Sequence, residues 1–242
     1  MVVVDPSAGP VAGKVSLGYV NVGQAERYRS YWKDFWRVPE GGAGVPDYLL
    51  AADPDGWEGN YRVAYWDPRW QALLWGGAGA AVDEALAKGF DGLFLDWVLG
   101  HADPAVAAAA REKGIDPDVA MARLVRELAD YARRKRPGAF VVLNNGALLA
   151  ARAPDVARAI DGVAQESLWF GGRAGAKWDD DDAGGLPREP APELRAALAS
   201  LDVPVFTIDY AVRDEDVRRA RAESIVLGYV PFVSRSPLDR LP

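Results

Sequence analysis

The sequence predicts an α/β fold, a (β/α)8 TIM-type barrel in one domain spanning residues 1–242, abbreviated or irregular in its N-terminal part. Three observations carry this expectation. Short, nearly continuous apolar runs alternate with helical patterns, as in a parallel sheet covered by helices. At 242 residues and 50% hydrophobic composition, the chain is long enough for one sizeable core. Nearly every apolar run also ends in a side chain that can titrate or hydrogen-bond. An open doubly wound sheet would spread those ends along an edge, whereas a barrel gathers them on one rim.

The predicted strands are residues 2–4, 15–20, 92–95, 140–143, 162–164, 205–208 and 229–233, each rich in β-branched or large apolar side chains. The second begins only ten residues after the first ends, so no full helix fits between them. Residues 62–66 form a further, less apolar candidate outside the main sheet. Met121, Leu124, Val125, Leu128 and Tyr131 recur at spacings of three and four, one face of a helix. Arg133–Arg136 suit the negative end of that helix's dipole, and Pro137-Gly138 stops it. Pro192 opens another helix, and Asp214–Asp216 begin the last one. Trp32 and Trp36 are four apart, as on a buried helix face. Residues 21–29 read as a strand end, a glycine turn and a helix start, on which Glu26 and Arg29 either pair or face the cleft. Residues 169–190 form one long non-periodic stretch with the acidic run Asp179–Asp182. It reads as a lid over the rim or as a solvated loop.

Composition excludes several kinds of chemistry. There are 28 Lys+Arg against 35 Asp+Glu, a net charge of −7, which argues against a nucleic-acid partner. No apolar run is long enough for a membrane span, and the chain as given has no basic-then-apolar leader. With no cysteine and a single histidine, His101, thiolate metal sites, cysteine nucleophiles and multi-histidine sites fall away. No metal and no cofactor are expected. Catalysis, where present, must rest mainly on carboxylates.

Two acids occupy the right positions. In the segment 88–97, Gly89 ends a helix, Asp91-Gly92 turns the chain, and the strand delivers Asp96 to its carboxyl end beside Trp97. The segment 161–167 repeats that layout and delivers Glu166. A carboxylate at such a place is either held structurally by a partner or used. Two of them across a common cleft are the minimum equipment for glycosidic cleavage. Asp5, Asn21, Asn144 and Asp209 end other strands. Six of the nine tryptophans (Trp32, Trp36, Trp57, Trp66, Trp70 and Trp75) crowd a loop-rich stretch, where flat faces could stack on sugars.

Read in order, the blocks resemble a known family. Residues 18–29 with Tyr31-Trp32 resemble the glycine-glutamate-tyrosine-arginine segment of the endo-α-1,4-polygalactosaminidase family, glycoside hydrolase family 114. Residues 65–70, residues 89–96, Asn144-Asn145-Gly146, Gln165-Glu166-Ser167 and Asp209-Tyr210 are similar to its later blocks. The resemblance implies a TIM-type barrel that cleaves α-1,4-linked galactosamine or N-acetylgalactosamine exopolysaccharide internally. It implies secretion or a cell-envelope location, and a cationic aminosugar polymer as substrate partner, which suits a −7 chain. The catalytic pair falls on Asp96, as nucleophile, and Glu166, as acid/base. The expected substrate contacts are Asp5, Asn21, Glu26, Arg29, Trp66, Trp97, Asn144, Asp209 and Tyr210. Two departures stand out. Family members usually carry another strand before residues 2–4, and many place a second acid soon after the position of Asp96, where this chain runs Trp97 to His101. The alternatives are a non-catalytic carbohydrate-binding barrel and a glycosidase acting on another glycan.

Overall fold

A computed structural model describes residues 1–36, 38 and 44–238. In chain order the elements are Val2–Val4 (β1), Ser16–Asn21 (β2), Gln24–Glu26 (β3), Leu49–Ala52 (β4), Asn60–Val63 (β5), Pro68–Leu74 (α1), Ala81–Ala87 (α2) and Gly92–Asp96 (β6). After a short 3-10 turn come Pro104–Glu112 (α3), Pro117–Lys135 (α4), Phe140–Asn144 (β7), Ala147–Arg152 (α5), Pro154–Ala159 (α6) and Gly162–Glu166 (β8). The chain continues through Phe170–Gly171 (β9), Leu186–Pro187 (β10), Pro192–Ser200 (α7), Val205–Tyr210 (β11), Asp214–Val226 (α8) and Val230–Ser234 (β12). Asp-Pro pairs start three of the helices. Asp67, Asp103 and Asp116 each accept backbone N–H bonds from the first turn, while the following proline sits where no N–H is needed.

The main sheet is parallel, in the order β1-β2-β6-β7-β8-β11-β12, and curls into a half-barrel. The seven strands are those the sequence predicts. Between β1 and β2 the chain makes turns and no helix, as the ten-residue spacing requires. Among the described residues β1 and β12 do not pair, so the sheet stays open at that seam. A cavity of about 520 Å³ lies there, lined in part by Val2, Phe94, Phe206, Ile208, Val230 and Phe232.

Alternation along the strands sorts side chains between two cores. Leu17, Phe94, Val142 and Ala164 fill the concave interior, with Tyr19, Phe206 and Ile208 packed on them. Leu93, Leu95, Val141, Leu143, Val163 and Val205 face outward into the larger core beneath the helices. One more step of two along each strand brings Asp96, Asn144, Glu166 and Tyr210 to the top of the interior column. This alternation fixes which strand-end residues meet.

Two stretches differ from the sequence reading. Residues 24–26, expected to start a helix, form β3, which pairs antiparallel with β5 in a second, three-stranded sheet. Gly23 allows the chain to pass there, because a Cβ at this position would overlap the Trp97 carbonyl oxygen. Trp32 and Trp36 lie on no helix. They touch edge to face at 5.1 Å, and Trp32 stacks on Tyr61 of β5 at 4.9 Å. The stretch 169–190 is not a free loop. It folds back as the β9–β10 ribbon, and its acidic run is tied down by Arg173, which bonds Asp180 at 3.1 Å and Asp182 at 2.5 Å.

Candidate active site

The carboxyl ends of the central strands open into a cleft of about 660 Å³ lined by Asp96, Glu166, Tyr19, Tyr210, Trp97 and Glu26, among others. Asp96 accepts three hydrogen bonds: the Tyr19 hydroxyl at 2.6 Å on Oδ2, and the Trp97 backbone N–H at 2.7 Å and Asn144 Nδ2 at 2.9 Å on Oδ1. Glu166 accepts the Tyr210 hydroxyl at 2.7 Å on Oε1, and Asn144 Nδ2 at 3.1 Å and Asn145 Nδ2 at 3.3 Å on Oε2. Among the described residues, neither carboxylate belongs to a salt bridge. The two share one donor nitrogen, whose legs of 2.9 and 3.1 Å cap the distance from Asp96 Oδ1 to Glu166 Oε2 at 6.0 Å.

Their surroundings separate their roles. Burial, reinforced by the negative charge of Asp96, raises the pKa of Glu166, and the bonds from Tyr210, Asn144 and Asn145 only partly offset this. Burial and the adjoining carboxylates likewise keep the Tyr19 and Tyr210 hydroxyls protonated far into the alkaline range. The shift makes Glu166 harder to ionise than a free glutamate, while both of its oxygens accept hydrogen bonds.

Local backbone geometry presents these groups. Trp97, Asn145 and Ser167 follow Asp96, Asn144 and Glu166 directly, and all three have left-handed φ values of 59°, 54° and 51°. Such a conformation costs a non-glycine residue about 1–3 kcal/mol and is held by its surroundings. The gain is an abrupt turn that ends each strand at its functional side chain. Asn145 Oδ1 stiffens the corner by accepting the Glu166 backbone N–H at 2.9 Å and Gln165 Nε2 at 2.8 Å.

The remaining expected contacts fall at different depths. Trp97 and Tyr210 line the cleft. Asn144 is buried beneath the two acids. Glu26 is buried at the edge of the cleft, bonded by the Tyr28 hydroxyl at 2.6 Å and Arg29 Nε at 2.7 Å; burial raises its pKa and the Arg29 charge works against that. Arg29 also pairs with Asp5 at 2.8 Å in a neighbouring pocket, so these two support the rim rather than line the cleft. Asn21 is buried, where its Oδ1 accepts the Gln24 N–H. Trp66 packs edge-on against Tyr65 in the outer core and lies away from the cleft. Asp209 points to the other side of its strand from Tyr210. It is fully buried, its Oδ1 accepting the N–H groups of Trp169 and Phe170, and burial raises its pKa. His101 is buried too, paired with Asp118 at 2.8 Å.

Sequence reasoning noted Asn145 at its strand end and Trp57 among the aromatics, but missed Tyr19 as a cleft residue and the β4–β5 turn, which brings Asp55 and Glu58 with Trp57 to the cleft wall. Tyr19 was legible as the inward residue two places before Asn21. The turn carried no signal of its destination. Of the six crowded tryptophans, only Trp57 lines the cleft, and it is 45% exposed. Among the described residues, no group of three or more His, Asp and Glu side chains is placed to hold a metal ion, and no helix is long and apolar enough to cross a membrane.

The family model of glycoside-hydrolase family GH114 matches residues 4–241. A protein of Deinococcus radiodurans with no assigned function is 33% identical over 235 residues, covering 95% of this chain and 67% of that one. The chain spans 46% and 64% of the length of two further curated relatives. Among solved structures, the glycoside hydrolase domain of PelA from Pseudomonas aeruginosa superposes with a TM-score of 0.64 at 26% identity, covering 95% of this chain and 81% of that one. Aspergillus fumigatus Ega3, solved in complex with galactosamine, gives 0.65 at 17% identity, covering 95% and 78%, a likeness of fold.

Proposed function

Because the chain belongs to glycoside-hydrolase family GH114, we propose that it cleaves a galactosamine-containing polysaccharide internally, with Asp96 as nucleophile and Glu166 as acid/base. The observation that carries this reading is the pair of carboxyl groups held on one amide nitrogen in the cleft, neither of them in a salt bridge among the described residues. The 6.0 Å bound applies to the two oxygens that face Asn144, and such close approach supports a retaining reading, with carboxyl groups about 5–5.5 Å apart, over an inverting one at roughly 6.5–9.5 Å. In the first step an Asp96 oxygen bonds to the anomeric carbon, the bond from that carbon to the glycosidic oxygen breaks, and the Glu166 proton goes to the departing oxygen. In the second, water gives a proton to Glu166, attacks the same carbon and releases Asp96.

The cleft's charge supports a cationic substrate. Among the described residues, its lining carries Glu26, Asp55, Glu58, Asp96 and Glu166 against Arg188. Such a field draws protonated amines, and the exposed Trp57 face offers them an aromatic surface. On this reading the protein acts where such a polymer is laid down, in a secreted or cell-envelope setting.

Incubation with de-N-acetylated α-1,4-galactosaminan, followed by product sizing and NMR of the newly formed anomer, tests the reading. Shortened chains with retained α configuration are expected. Asp96→Asn and Glu166→Gln should each lower kcat by about 10³-fold or more with the fold intact. Undiminished turnover by either variant overturns the assignment. Polymer held on the protein but never shortened means a binding module instead.

A further inference from the structure

Asn144 is the residue that the alternation of β7 places directly under the pair. It is 3% exposed, and its Nδ2 hydrogens are divided between Asp96 at 2.9 Å and Glu166 at 3.1 Å. Its Oδ1 is buried and, among the described residues, has no hydrogen-bond partner. That orphaned oxygen is informative. Rotating the amide by half a turn would face Oδ1 toward the Asp96 carboxylate and lose that bond, so Asp96 dictates the orientation at the cost of leaving an acceptor unmet. A residue chosen for packing alone would be apolar here, since Leu143 beside it and Val142 below it are.

We propose that Asn144 is a positioning residue that sets the spacing of the two carboxyl groups and stabilises whichever of them carries the charge as the reaction proceeds. This rests on the roles proposed above for Asp96 and Glu166. In the resting site, one N–H holds the Asp96 carboxylate while the other rests on Glu166. When Asp96 bonds to the sugar carbon its charge disappears, and an ester oxygen accepts hydrogen bonds more weakly than a carboxylate. At the same moment Glu166 has given its proton to the leaving oxygen and become an anion. The amide, already in contact, then serves Glu166 as its principal donor, with no movement larger than a change in hydrogen-bond length. Hydrolysis reverses the exchange. The other titratable or charged groups facing the pair are Tyr19 from β2, Glu26 from β3 and Tyr210 from β11. Of the guanidinium groups near the cleft, Arg29 is engaged with Glu26 and Asp5, and Arg188 stands in the cleft wall with Asp55 and Glu58. None of these touches both carboxylates.

The test uses Asn144→Leu, which keeps the bulk and removes the donors, and Asn144→Ser, which restores one hydroxyl donor should the leucine variant fold poorly. Turnover of de-N-acetylated α-1,4-galactosaminan is followed across pH beside Asp96→Asn and Glu166→Gln. The carboxyl carbons of the pair are titrated by NMR in resting, isotope-labelled protein. The leucine variant should lose about 10²–10³-fold in kcat with KM little changed. Loss of a donor disfavours both anions, so both limbs of its pH profile and both apparent pKa values of the pair should rise, with the serine variant in between. Unshifted titrations overturn the proposal, as does lowered activity with unmoved limbs, which would mean a merely structural role. The NMR titration needs no turnover. An inert wild-type protein, or fully active Asp96→Asn and Glu166→Gln variants, would therefore sink the catalytic assignment while the titration still decides whether Asn144 couples the pair.

Discussion

Neighbouring residues of one strand have opposite fates at this site, and the pleat decides between them. Tyr210 reaches Glu166 inside the half-barrel, while Asp209, one bond earlier, is buried on the outer side against the backbone of residues 169–170. Both titratable and both at a strand end, they are indistinguishable by composition, and only the inward-outward count separates them. That count was available in the sequence for Asp96, Asn144 and Glu166, each two places beyond an inward apolar residue. Trp66 was not legible in the same way, because its place depends on how the second sheet packs. The strain of holding two acids together has a thermodynamic signature. Glu166 has a pKa in the folded chain above that of a free glutamate, so its contribution to stability is full below about pH 4 and is lost as the pH climbs through the folded value. Glu166→Gln should therefore melt higher than the parent at pH 7, by about 1 kcal/mol for each pKa unit relieved, and the gap should close toward pH 4. Scanning calorimetry at several pH values checks this. Glu26 and Asp209, also raised by burial, are common to both proteins and cancel in the difference.

Among elements, the strands of the main sheet were legible because burial on both faces leaves an apolar run that polar loops interrupt. The predicted run 140–143 became Phe140–Asn144, and 205–208 became Val205–Tyr210, extended in each case by the functional residue that ends it. β3 was not legible. Gln24–Glu26 is three residues of helix-tolerant composition, made extended by partners at Asn60–Arg62 that no local pattern announces. The β9–β10 ribbon is the same case, two residues on each side. Its loop owes its shape to charge pairing. Arg173 bonds Asp180 and Asp182, and its backbone carbonyl accepts the Ser236 hydroxyl, while Trp178 packs under the Arg235 guanidinium at 5.6 Å. Since Gly172, Ala174 and Arg188 line the cleft, this loop forms part of its wall. Arg173→Ala should hasten proteolytic nicking between residues 173 and 185 by about 10-fold and raise KM, with global unfolding little changed, because these pairs are half-exposed. Limited proteolysis and steady-state kinetics on one preparation distinguish this from general destabilisation.

For the whole molecule, the order of strands matters more than their number. The acids stand on β6 and β8, the third and fifth of seven, with β7 and its asparagine between them and hydrogen-bonded strands on both flanks. The unpaired edges of β1 and β12 are the outermost members of the sheet. Native-state amide exchange should follow that order, with protons of β6, β7 and β8 released last and those of β1 and β12 at least about 10-fold sooner. Equal protection across the sheet would count against it. A split ring behaves in the same way, since its jaws take up a change in girth and the metal opposite the cut barely bends. Warming or substitution that swells the small interior around Leu17, Phe94 and Val142 would thus widen the gap between first and last strands and leave the reach from one acid to the other as it was.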